Sequence, residues 1–102
     1  MENKKIITLD LTDCKYIMDL HERIRIAFDF PEWYGAGWHA LWDLLRSDVD
    51  ADEVIIIGEN TMPKEFEKEL ESMRRALDNK VEMHKRDMEL YDDIRPFNYR
   101  II

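Results

Sequence analysis

Cysteine is nearly missing from this chain. Cys14 is the single copy, so no disulfide can form within it and nothing suggests an exported, cross-linked scaffold. Basic residues are outnumbered, with 15 lysines and arginines against 23 aspartates and glutamates, for a net charge of −8. That balance argues against binding nucleic acid, because gripping a phosphate backbone needs clustered lysine and arginine. No apolar run approaches the ~20 residues that cross a bilayer. The opening Met1-Glu2-Asn3-Lys4-Lys5 leads into a strand pattern and not a signal peptide. A cytoplasmic protein with no membrane contact is expected.

Catalytic templates are missing as well. There is no glycine-rich phosphate loop after a strand, no Gly-x-Ser-x-Gly and no paired-cysteine metal spacing. Cys14 lies near a helix start, where a thiolate would be favoured, but no histidine neighbours it in sequence. His39 and Asp43, one helical turn apart, are too few to hold a metal by themselves. The expectation is a protein that is not an enzyme, with no catalytic residues, no cofactor and no metal.

Glycine and proline have only three copies each, yet two of the glycines and all three tryptophans fall within Pro31–Asp43. Gly35 and Gly37 permit a tight loop, and Gly37 can cap a helix running from Trp38 to about Arg46. On that helix Leu41, Leu44 and Leu45 share one face, with Trp38 beside them. His39, Asp43 and Arg46 form a polar stripe opposite most of it, and Trp42 lies at the seam. Tryptophan is enriched in interface hot spots, so this stretch suggests a contact surface as well as core. From Asp29 to Glu53 the acids Asp29, Glu32, Asp43, Asp48, Asp50, Asp52 and Glu53 face only Arg46. Most of the chain's negative excess is therefore local in sequence, which predicts a field steering basic partners. A solvated acidic loop is the alternative.

The rest of the chain alternates strand and helix patterns. Lys5–Leu11 alternates and predicts a first strand. Thr12 or Asp13 can cap a helix with apolar Ile17, Leu20, Ile24 and Ala27, ending near Phe28 before Pro31. His21 within it is expected to be structural or on the surface. Val54–Ile57 is a β-branched run bounded by Gly58, the pattern of a central strand covered on both faces. Thr61 or Met62 with Pro63 opens the longest helix, carrying Phe66, Leu70, Met73 and Leu77 and stopped by Asp78-Asn79-Lys80. Val81–Lys85 alternates and predicts a third strand, with His84 facing solvent. Residues 88–102 form a possible appended tail in which Phe97–Ile101 could add one more short strand. The prediction is one α/β domain over residues 1–102, a three-stranded parallel sheet packed with helices in the order β-α-α-β-α-β.

Three motifs together carry a resemblance. Asp19-Leu20-His21, Pro31-Glu32-Trp33-Tyr34-Gly35 and Ala40-Leu41-Trp42-Asp43 resemble the barstar family of intracellular ribonuclease inhibitors, whose central pattern is Pro-x-Tyr-Tyr-Gly followed by Asp-Ala-Leu-Trp-Asp. The likeness is specific from Asp19 to Arg46 and weaker towards the third strand. It implies the same barstar-like fold and a partner-binding set of Trp33, Gly35, Trp38, His39, Trp42, Asp43 and Arg46. By resemblance Asp43 matches the carboxylate that enters the ribonuclease active site in place of substrate phosphate, with Trp42 and Gly35 beside it. Trp33 replaces a tyrosine that packs on the enzyme, Gly37 an asparagine, and His39 a second contact aspartate. Arg74 or Arg75 stands where the family offers a glutamate. The implied function is that of an immunity protein or antitoxin acting as a monomer on a basic ribonuclease or related toxin. The alternative is a non-inhibitory interaction module of the same fold that binds another basic protein.

Overall fold

The computed structural model describes residues 4–34, 37–47 and 49–102. The elements run β1 (Ile6–Asp10), α1 (Ile17–Phe28), α2 (Trp38–Ser47), β2 (Glu53–Ile57), α3 (Glu67–Leu90) and β3 (Asn98–Ile101). Two 3₁₀ turns, Glu59–Thr61 and Lys64–Phe66, lie between β2 and α3. The strands form one parallel sheet in the order β1-β2-β3. Ile7, Val54 and Tyr99 make one rung across it, and Leu9, Ile56 and Ile101 another. Side chains alternate across a sheet, so these rungs share a face, and Leu9, Val54 and Ile56 are buried there against Leu20, Ile24, Leu41, Leu45, Met73 and Leu77 of the helices.

The opposite face is more open than a run of isoleucines suggests. Thr8 and Arg100 are exposed, and Ile55 between them is half-buried. The β-branched run of β2 therefore does not mark burial on both faces. On the open side Glu53 is nevertheless buried, because Lys4 and Arg100 close over its carboxylate, each at 2.8 Å.

The third strand is not where the alternation of Val81–Lys85 places it. Those residues belong to α3, which continues through Asp78-Asn79-Lys80 to Leu90, and the third strand is Asn98–Ile101. Aspartate and asparagine each cost a helix only about 0.7 kcal/mol. Met73, Ala76, Leu77 and Lys80 bury one continuous stripe of α3, and that burial outweighs the local preference. The start of α1 also differs from the sequence pattern, whereas its end at Phe28 falls where the pattern puts it. The first helical residue of α1 follows Tyr16, because Asp13 adopts a left-handed turn whose backbone N–H meets Thr61 Oγ1. At its far end Asp29 takes a left-handed conformation, and the N–H groups of Asp29 and Phe30 bond the carbonyls of Ile26 and Arg25. That closure is complete two residues before Pro31. Gly58 is required: its φ is +81°, and a Cβ there would lie 2.5 Å from the Thr12 backbone nitrogen.

Lys80 is the least expected core residue, only 2% exposed. Its ammonium donates to the carbonyls of Leu45 at 2.8 Å and Val49 at 3.3 Å, and lies 5.1 Å from the centre of the Phe97 ring. Burial pulls its pKa down, with Asp50 opposing. Replacing Lys80 by methionine keeps most of the packing but removes both donors. Lys80→Met should lower unfolding stability by about 1–3 kcal/mol in urea titration.

Candidate protein-binding surface

α2 carries its leucines inward and its polar stripe outward, as the wheel predicts. Leu41, Leu44 and Leu45 are buried, whereas His39, Asp43 and Arg46 are exposed. The Gly37 carbonyl accepts the first helical bond, from the Leu41 N–H. Gly35 lies outside the described residues. Asp43 presents a carboxylate whose side chain is 69% exposed, with Arg46 at 3.8 Å as a loose neighbour. A pair that long between exposed groups is weak, so it leaves the carboxylate available.

The tryptophans divide their work. Trp33 is 72% exposed and stands in a turn ahead of the loop. Trp42 is half-buried at the seam, resting on the core with one side open. Trp38 is an anchor: its indole N–H donates to Glu69 Oε2 at 2.8 Å, and its ring lies 4.5 Å from that of His21. His21 is buried and shares a 2.9 Å hydrogen bond with the Tyr34 hydroxyl. Burial pushes the Tyr34 phenol up to about 12. The Trp-rich segment is thus held from below by α1 through His21 and by α3 through Glu69. The sequence pattern gave His21 no role in the site; its one signal is its spacing with Leu20 and Ile24 on the buried face of α1.

Between α2 and α3 runs a groove of about 300 Å³. Trp38, His39 and Trp42 form one wall, and Ser72, Arg75, Ala76 and Asn79 the other. The last four recur at helical spacing, one stripe of α3. Arg74 and Arg75 separate here. Arg74 turns towards Glu59 and Glu67, while Arg75 lines the groove.

The negative field is narrower than the local count of acids predicts. Asp52 is paired with Arg95 at 2.8 Å, and Glu53 with Lys4 and Arg100. Asp48 lies outside the described residues. Asp29, Glu32, Asp43 and Asp50 remain exposed. Counting charges along the chain missed cations contributed from β3 and its approach. Cys14 is fully buried, and burial raises its thiol pKa, which disfavours the reactive thiolate. Among the described residues no group of three or more His, Cys, Asp or Glu is placed to hold a metal ion. No helix among them is long and apolar enough to cross a membrane.

Comparison with known proteins adds two findings. Residues 4–92 match the family model described as "Barstar (barnase inhibitor)". The chain is also 37% identical over 54 residues to the Bacillus subtilis protein named "Putative ribonuclease inhibitor YrdF". That match covers 53% of this chain and 58% of the relative, so the chain spans little more than half the length of the curated protein it matches.

The buried imidazole predicts a pH dependence. Burial lowers the His21 pKa from its ordinary 6.5, against a smaller opposing pull from Glu69. The unfolded chain takes up this proton first, so the His21 contribution is complete above about 6.5 and is lost as pH falls below it. Thermal melts between pH 7.5 and 5 should show the parent losing stability over that window, and His21→Gln losing less.

Proposed function

The chain belongs to the barstar family, and from that premise we propose that it inhibits a basic ribonuclease by closing the enzyme's active site with the outer face of α2. The observation that carries this reading is the open Asp43 carboxylate on a firmly anchored helix, with Trp42 beside it and Trp33 exposed nearby. A ribonuclease cleft holds cations arranged for RNA phosphate. Asp43 occupies the phosphate position, and the two tryptophans, with His39 and Arg46 at the rim, exclude water around the ion pair. By resemblance to the family, Gly35 belongs to the same contact set. Sealing a charge pair in this way makes it costly to break from one side, because the enzyme's cation is left buried and uncompensated. The inhibitor acts as a monomer inside the cell, one-to-one, as an immunity protein or antitoxin. It competes with RNA without binding RNA.

A second reading has one observation in its favour. His39 and the paired Asp52 and Glu53 leave Asp43 as the main acid of the α2 face, which suits a module that binds another basic protein without inhibiting it. Barnase, named in the family's description, serves as the probe. Under the inhibitor reading, equimolar parent chain suppresses barnase cleavage of a fluorogenic RNA. Asp43→Ala should weaken the complex, measured by calorimetry, by at least ~2 kcal/mol, roughly 30-fold. A parent chain that leaves cleavage untouched favours the second reading. Asp43→Ala binding as tightly as the parent removes Asp43 from the site.

A further inference from the structure

The groove between α2 and α3 holds a cation with nothing to meet. Arg75 is exposed, lines the groove opposite Trp38, His39 and Trp42, and has no hydrogen-bond or ion-pair partner among the described residues. Its own helix does not neutralise it. Glu71 and Asp78, each one turn away, form no ion pair with it, and Asp78 already accepts the Tyr99 hydroxyl at 2.6 Å. Among the described residues no acidic one lines the groove. Most other arginines behave differently: Arg23, Arg25, Arg46, Arg74, Arg95 and Arg100 each have a carboxylate partner, and Arg86, further along α3, has none among the described residues.

From this we propose that the groove is a receptor for an acidic side chain, and that the protein's partner presents an aspartate or glutamate to Arg75 beside the cation it presents to Asp43. The inference rests on the inhibitor reading and names what that reading leaves open, the charge pattern demanded of the partner. The surface is two-signed, with the Asp43 carboxylate on α2 and the Arg75 guanidinium across the groove on α3. A guanidinium offers paired N–H donors in a plane, which matches a carboxylate and fixes its direction of approach. Ala76 is small and buried at the base of the groove, leaving depth for a side chain between the helices. Ser72 and Asn79, above and below Arg75 on the same stripe, supply further hydrogen-bonding groups. Trp38 and Trp42 wall the opposite side and limit water around the pair. A uniformly basic partner would meet Arg75 with like charge, and that repulsion discriminates between ribonucleases.

The test uses small probes, so that it does not depend on any ribonuclease. Nuclear magnetic resonance follows the indole N–H signals of Trp38 and Trp42 and the Arg75 Nε–H signal. Three capped tripeptides are added at millimolar concentrations: Gly-Glu-Gly, Gly-Gln-Gly and Gly-Lys-Gly. The expected result is a saturable shift of all three signals with the glutamate peptide, and binding at least about fivefold weaker with the glutamine peptide. Arg75→Gln should abolish the difference, while Arg86→Gln, a change further along α3 outside the groove lining, should preserve it. Equal responses to glutamate and glutamine peptides, or an unchanged response in Arg75→Gln, overturn the proposal. Inorganic phosphate shifting the same signals more strongly than the glutamate peptide also overturns it, because the groove would then suit a nucleic-acid phosphate. Failure of the inhibitor reading registers separately, as a parent chain that leaves barnase cleavage untouched.

Discussion

One buried ammonium group fixes the geometry on which the binding surface depends. Lys80 Nζ projects from α3 beneath the end of α2, where the carbonyls of Leu45 and Val49 are otherwise without helical donors. A helix C-terminus carries partial negative charge, so a cation there gains from the helix field as well as from its hydrogen bonds. Desolvation opposes the charged state, and the Phe97 ring at 5.1 Å and the nearby Asp50 partly offset it. Because Phe97 immediately precedes β3, the same ammonium relates α2, α3 and the last strand to one another.

The other end of α2 is held by different chemistry. Trp38 is bonded to Glu69 of α3 and lies against His21 of α1, which in turn holds Tyr34. α2 is therefore pinned at its first turn by an aromatic and carboxylate cluster, and just past its last by Lys80. Between these anchors Asp43, His39 and Arg46 project from a helix that has little freedom to adjust. Side chains presented on a fixed frame lose less entropy when a partner arrives, which favours tight association from a small surface. The two ends also bear on the groove: α2 and α3 are tied together near both ends of α2, and the small Ala76 is among the residues lining the space between.

Much of this could be read from the residues themselves. The leucine stripe of α2, the tryptophan and glycine cluster, β1, β2 and the α/β order all follow from local periodicity, and the motifs from Asp19 to Asp43 resembled the right family. What escaped was set by distant partners. Lys80 looks like a helix terminator until Leu45 and Val49 are placed above it. Val81–Lys85 alternates over too few residues to distinguish a strand from the end of a long helix, and burial of Met73, Leu77 and Lys80 decides the matter. The acids near Glu53 look like part of a field, but Lys4 and Arg100 arrive from opposite ends of the chain to neutralise that carboxylate. Arg74 and Arg75 are adjacent and alike in sequence; a rotation of 100° per residue sends one to Glu59 and the other to the groove.

The register of the sheet has a kinetic side. Every rung joins residues more than forty positions apart, as in Ile7 with Val54 and Val54 with Tyr99, and no hairpin links neighbouring segments. Chains that must close such wide loops cross their folding barrier slowly, since ordering precedes the contacts that reward it. β2 cannot gain its second neighbour until the whole of α3 has been traversed, so the three-stranded sheet cannot be complete before the end of the chain is in place. During synthesis on a ribosome, the helices would exist as transient pieces well before the strands could lock them in place.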